Sequence, residues 1–270
     1  MWFLVGSRFF IRIEKFLQMF RVEFENKGFY LEYKTDLPDY ACGITTRNLQ
    51  FNYSYHTIKT EEEKKIVDKS RRLLFESLSF RSIVTLRQVH SDKICILDED
   101  NMRDFEDSKV EGDGLITDVE NILIGVSTAD CIPLIYLSKG KKVCGVVHAG
   151  WRGIHKGIHL NMLQHFKRDF GVLMKDVFII IGAHIRDCCY IVGSEMFEFF
   201  PKRYFKNFSG NLYLNLLNIV VDGLTDCGIS ENNLAYLDIC SYCGGDFFYS
   251  YRRGEESMRN LSFAGIRQCI

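Results

Sequence analysis

Proline is scarce in this sequence, three residues in 270, and no glycine/serine-rich stretch, low-complexity segment or internal repeat is present. That excludes polyproline spacers and flexible tethers, and no shift in composition marks a domain boundary. Long apolar runs are missing too. None approaches the eighteen or more residues a membrane helix requires. The opening MWFLVGSRFFIRIEKF has only the run WFLV before charges at Arg8, Arg12, Glu14 and Lys15. It lacks the apolar region and small-residue cleavage site of a secretory signal. Residues 1–18 read as an N-terminal extension or as a short amphipathic helix. Nor is there an excess of one charge: 34 Lys and Arg face 35 Asp and Glu, a net of −1. Nothing electrostatic therefore favours a nucleic-acid or anionic-membrane partner.

What is present is the mix of a globular protein with a large core, 47% hydrophobic and 26% charged. Ten cysteines stand out. They sit largely inside apolar runs such as VCGVV and KICIL, where free thiols are commonly buried. That favours reduced cysteines and a cytoplasmic setting.

RVEFENKGFYLEY (21–33) reads as a hairpin turning at Asn26-Lys27-Gly28. TEEEKKIVDKSRRLLFESL (60–78) reads as a helix with a Thr60/Glu63 capping box and Ile66, Leu73, Leu74 and Leu78 on one face. Short strands follow: SIVTLRQVH, KICILDE, DGLIT, ILIGVST, IPLIYLS and KKVCGVVH. Beyond them, 153–170 reads as one helix, VFIIIGAHI as a strand and SEMFEFF as a short helix. NLYLNLLNIVVDGLTDCG reads as a helix ended by Gly228, LAYLDI as a strand, and the end as irregular. Strands dominate the middle without strict βαβ alternation. The expected fold is therefore α+β, layered mixed β-sheets flanked by helices, in a single domain spanning 1–270.

Three apolar strands end in residues that bind soft or borderline metals: His90 in RQVHS, Cys131 in TADC and His148 in VVHAGWRG. Two imidazoles and a thiolate leave a fourth tetrahedral position open, as catalytic zinc sites do. By spacing alone, two surface histidines and a core cysteine are the more ordinary reading. Asp130 can orient a ligand histidine, act as acid or base, or cap a turn. Asp113, within GDG, can likewise be functional, but Gly-Asp-Gly is also an ordinary turn, which is favoured.

QVHSDKI, GDGLIT, TADCIPLIY, VVHAGWRG, IGAHIRDCCYIVGSEM and DFFYSYRR, in this order and spacing, resemble the multicopper polyphenol oxidase (laccase-like) family, also described as purine nucleoside phosphorylases. The resemblance covers roughly residues 80–265. It implies zinc held by His90, Cys131 and His148, with copper as the other metal. It implies purine nucleosides and phosphate as partners, through phosphorolysis of adenosine, inosine, guanosine and methylthioadenosine and deamination of adenosine. Phosphate calls for arginines, whose fork binds oxygens in pairs. Arg152 and Arg47 are the first candidates for catalysis; Arg252 and Arg253 are candidates for substrate binding. Phe248, among Phe247, Tyr249 and Tyr251, can stack on a purine or simply pack in a strand. The sequence departs from the family in GAHI (182–185) for GPxI, in CGITTRNLQF for a glycine-rich segment, and in MRN (258–260) for a near-terminal GR.

Several features fall outside that set. His155 and His159, four apart, read as the exposed face of a helix, since the Glu of an HExxH motif is missing. Cys240-Ser-Tyr-Cys243 lacks a second CxxC, and Cys188-Cys189 reads as buried packing. Three further functions are open: a copper polyphenol oxidase, a cysteine hydrolase using Cys131 with His90 or His148 as base, and a non-catalytic metal or thiol sensor. Against the oxidase, one His₂Cys copper carries one electron, reduction of O₂ to water takes four, and no further histidine-rich cluster is apparent.

Overall fold

Apolar strands buried on both faces build two large sheets stacked face to face. The computed structural model describes residues 23–47 and 52–268, with two short strands at Leu4–Val5 and Arg8–Phe9. The expectation for residues 1–18 otherwise lies outside the described residues. The first sheet runs Leu4–Val5, Arg8–Phe9, Glu23–Asn26, Tyr30–Lys34, Tyr40–Thr45, Asn260–Ile266, Ile122–Thr128 and Ser82–Thr85. The second runs Leu234–Tyr236, Val177–Ile181, Ile132–Ser138, Cys144–Ala149, Gly114–Thr117 and Ile94–Leu97. A small third sheet joins Ile191–Val192, Asn211–Leu214 and Phe205–Phe208. Parallel pairs such as Ile94–Leu97 with Gly114–Thr117 sit beside antiparallel ones, so the sheets are mixed.

Period-two alternation sorts the second sheet's side chains. Ile135, Leu137, Val146 and Ile180 face the first sheet and form the core between the sheets. Leu134, Tyr136, Val147 and Ile179 face helices Ile158–Arg168 and Leu216–Asp226, meeting Met162, Phe166, Val220 and Leu224. Helix Glu61–Ser77 covers the outer face of the first sheet through Leu74. The result is the layered α+β fold expected, with helices outside and two sheets within.

Four local expectations change. In helix Glu61–Ser77 the capping box is present, but the buried face is Val67, Ser70, Arg71 and Leu74; Ile66 and Leu73 are exposed. Arg71 is buried because its guanidinium meets Tyr53 O and Thr85 Oγ1. The helix expected over 153–170 breaks into Trp151–His155 and Ile158–Arg168, because Gly157 takes φ +82. Asn211–Leu214 is a strand, with helix only from Leu216. Asn260–Ile266, expected to be irregular, is a central strand of the first sheet. All seven of its residues are buried, polar Asn260 and Ser262 included, so no polar/apolar alternation marks it.

Candidate metal centre

Antiparallel pairing brings the expected donors together. In the Ile132–Ser138/Cys144–Ala149 pair, Pro133 lies opposite His148 and Ile132 opposite Ala149. Cys131, just before the first strand, therefore meets the end of the second. His90 approaches from the loop between Ser82–Thr85 and Ile94–Leu97. The donor atoms of His90, Cys131 and His148 all lie within 4.8 Å of one another. The two imidazole rings are edge to face, 4.7 Å between centroids.

Asp113 organises both histidines. Its Oδ1 lies 2.8 Å from His148 Nδ1. The same carboxylate accepts the N–H groups of Val89, His90 and Ser91 at 3.2, 3.1 and 2.6 Å, and Ser91 Oγ–H at 2.8 Å. Burial pushes the Asp113 carboxyl up, but His148 and Ser91 outweigh it and bring it down to about 2. Burial likewise pushes His148 down, yet Cys131 and Asp113 lift it to about 9. His90 is lowered by burial first and by the neighbouring His148 second. With Nδ1 of His148 committed to Asp113, Nε2 is left for a metal, the arrangement that orients ligand histidines elsewhere. The GDG segment, favoured as a turn, thus carries a residue of the candidate site.

The backbone is shaped for this contact. His90 has φ +57 and Asp130 φ +86, left-handed conformations that non-glycine residues adopt at a cost of about 1–2 kcal/mol. Gly150 caps helix Trp151–His155. A Cβ there would sit 2.7 Å from His90 Nδ1 and 3.3 Å from Cys131 Sγ, so the glycine of HAGWRG makes room for the donors.

These donors lie within a larger match. The family model described as Multi-copper polyphenol oxidoreductase laccase matches residues 41–267. The chain belongs to this laccase-like family. A purine nucleoside phosphorylase of Clostridium acetobutylicum is 32% identical over 249 residues, covering 88% of this chain and 96% of that protein. A protein named adenosine deaminase RL5, from an unknown prokaryotic organism, is 30% identical over 197 residues, covering 68% and 74%. The crystal structure of YlmD from Geobacillus stearothermophilus superposes with a TM-score of 0.80 at 26% identity, covering 91% of this chain and 99% of that one.

In this laccase-like chain the arginines divide. Arg152 stacks over Trp151 at 4.3 Å and acts electrostatically on His90. Arg252 stacks over Tyr190 at 5.2 Å and donates to Ile191 O at 3.0 Å. Tyr190, pushed up to about 12 by burial and then by Cys131, places this stack within electrostatic reach of the thiol. Arg259, not singled out by the sequence, is lowered by burial and raised by Cys131 and Asp130, so it belongs to the same group. The sign available was an arginine inside MRN, the segment read as a departure. Arg47 and Arg253 instead share Glu255, at 2.6 and 2.7 Å. Arg253 also donates to the carbonyls of Ser241, Tyr242 and Phe248. Its guanidinium holds the loop together through these bonds.

Phe248 is corrected: it is 1% exposed and packs in the core between the sheets, so it presents no face to a purine. Asp130 accepts Ser241 Oγ–H at 2.7 Å and the Arg252 N–H at 2.8 Å. The carboxylate that meets a candidate donor histidine is Asp113, not Asp130. His159, expected on an exposed face, is 3% exposed, because the break at Gly157 turns it inward. Cys188, expected to be buried, is exposed, and Cys189 is half-buried; all nine described cysteines are free thiols. No helix among the described residues is long and apolar enough to cross a membrane.

Proposed function

We propose that the protein is a zinc-dependent purine nucleoside enzyme acting in the cytoplasm, carrying out phosphorolysis of adenosine, inosine, guanosine and methylthioadenosine and deamination of adenosine. The observation that carries the reading is the convergence of His90, Cys131 and His148, with Arg152, Arg252 and Arg259 around them. The relatives' names, phosphorylase and deaminase, support both reactions. The donor set fits zinc: two imidazoles and one thiolate, one imidazole held by a carboxylate, three donors that leave the fourth tetrahedral position to water or substrate. Bound there, zinc supplies Lewis acidity and a water acidified to near neutral pH.

The chain's own groups do the rest. Arg152 and Arg259 attract phosphate toward the thiol side of the site, and Arg252 extends the positive wall over Tyr190. In phosphorolysis a phosphate oxygen bonds to the ribose C1′ as the C1′–N bond breaks. The electron pair leaves with the purine, which takes up a proton. In deamination the oxygen of water bonds to C6, and the amine departs as ammonia. We assign the accompanying proton transfers to Asp130, one residue from Cys131 and with lone pairs beyond those given to Ser241 and Arg252. Arg47, through Glu255, positions the loop that carries Arg252.

Two other readings have an observation behind them. The family description carries copper oxidase chemistry. Among the described residues, however, the other donor cluster is all thiols, with no histidines for further copper ions. A cysteine hydrolase is favoured by the Cys131–His148 contact. One experiment separates these: metal-analysed protein is incubated with adenosine, with and without phosphate, and products are identified by mass. Phosphate-dependent adenine and phosphate-independent inosine support the proposal. No nucleoside turnover from zinc-loaded protein rejects it.

A further inference from the structure

A second donor cluster lies apart from the centre just described. Cys188 and Cys189 occupy the turn after His184, and Cys240 and Cys243 occupy the turn CSYCGG. Backbone pairing brings the turns together: His184 and Cys240 form a parallel bridge, and Ser241 N–H donates to His184 O at 2.9 Å. Arg186 and Asp238 form an ion pair between the same two segments. The four sulfurs lie within 4.8 Å of one another, and Cys188 Sγ is 3.6 Å from Cys243 Sγ. Zinc–sulfur bonds of about 2.3 Å in a tetrahedron put the sulfurs about 3.8 Å apart. The observed separation fits that edge and is far beyond a disulfide bond of about 2 Å.

Backbone N–H groups gather at one of the four sulfurs. Cys240 Sγ accepts the Arg186 N–H at 3.5 Å, and the N–H groups of Tyr242 and Cys243 bear on the same sulfur. The CSYCGG turn is closed by Gly244 N–H to Cys240 O at 2.8 Å. A Cβ on Gly244 would lie 2.5 Å from that oxygen, and Gly245 has φ +89. Both glycines are thus required for a turn that puts the two sulfurs of a C-x-x-C pair together. A surface cleft of about 340 Å³ gives an ion access.

We propose that Cys188, Cys189, Cys240 and Cys243 bind a second zinc ion as a closed four-thiolate structural site. Such a site clamps the segment carrying Ile185 and Tyr190 to the segment carrying Ser241. Ile185 N–H donates to Asp130 O at 2.9 Å and Ser241 Oγ–H to Asp130 Oδ1 at 2.7 Å. The clamp therefore fixes the residue beside Cys131 without touching the first ion. The proposal does not depend on the nucleoside reading, since its test counts ions and never turnover.

Zinc is measured by plasma mass spectrometry on protein purified under reducing conditions. Two ions per chain are expected in the wild type, one in Cys131→Ser, and one in the double variant Cys240→Ser/Cys243→Ser, with a lowered Tm. Should the double variant fail to fold, cobalt-loaded Cys131→Ser decides: intense thiolate-to-cobalt charge-transfer bands are expected. A single zinc in the wild type that disappears in Cys131→Ser overturns the proposal. So does cobalt-loaded Cys131→Ser without thiolate bands, or a Cys188–Cys243 disulfide found by mass in the purified protein.

Discussion

Asp113 Oδ1 and His148 Nδ1 stand 2.8 Å apart, and the same carboxylate gathers three consecutive backbone N–H groups that hold His90. One side chain thus sets the pose of two of the three donors. Asp113→Ala is expected to weaken zinc affinity by roughly 10–100-fold, the usual loss when a histidine-orienting partner is removed. Asp113→Asn, which keeps an acceptor oxygen, should lose less. Chelator competition measures both. Unchanged affinity in Asp113→Ala would remove its organising role.

Gly150→Ala forces a methyl to within 2.7 Å of His90 Nδ1. The expected result is loss of metal from the first site while far-ultraviolet circular dichroism stays native, because the crowding is local. An alanine variant that keeps its full zinc complement would show that the site is looser than this spacing.

Arg152 carries no carboxylate partner among the described residues, and it influences His90. Arg152→Ala should lower kcat/KM for phosphorolysis by roughly 10–100-fold, the worth of a hydrogen bond to a charged group. It should spare adenosine deamination, which uses no phosphate. Equal losses in the two reactions would deny Arg152 a phosphate role.

His159 is buried with Nδ1 unpartnered, and burial lowers its pKa to about 4 from an ordinary 6.5. Between those values the unfolded chain binds a proton that the folded chain refuses. Stability is therefore full above pH 6.5 and falls as pH drops toward 4, by roughly 3 kcal/mol in all. Urea midpoints at pH 7 and pH 5 measure the slope. His159→Leu should flatten it, and an identical slope in that variant would assign the acid sensitivity elsewhere.

How much of this was legible in the sequence varies by residue. The donors His90, Cys131 and His148 were legible through the family resemblance, because strand-end position alone fits surface histidines and a core cysteine as well. Asp113 was less so, because GDG is also an ordinary turn and its role depends on the parallel neighbour Ile94–Leu97. The strand Asn260–Ile266 was hidden by burial on both faces, and Phe248 was misplaced because an aromatic residue reads the same whether it faces a ligand or a core. His159 turned inward because one glycine breaks a helix that periodicity had drawn as continuous.

The most direct measurement takes one preparation of Cys131→Ser and reads zinc content, nucleoside turnover and thermal unfolding together. The account predicts one zinc ion fewer than wild type, no adenosine turnover with or without phosphate, and cooperative unfolding like that of the wild type. Turnover that persists after that ion is lost, or an unchanged metal content, would contradict it.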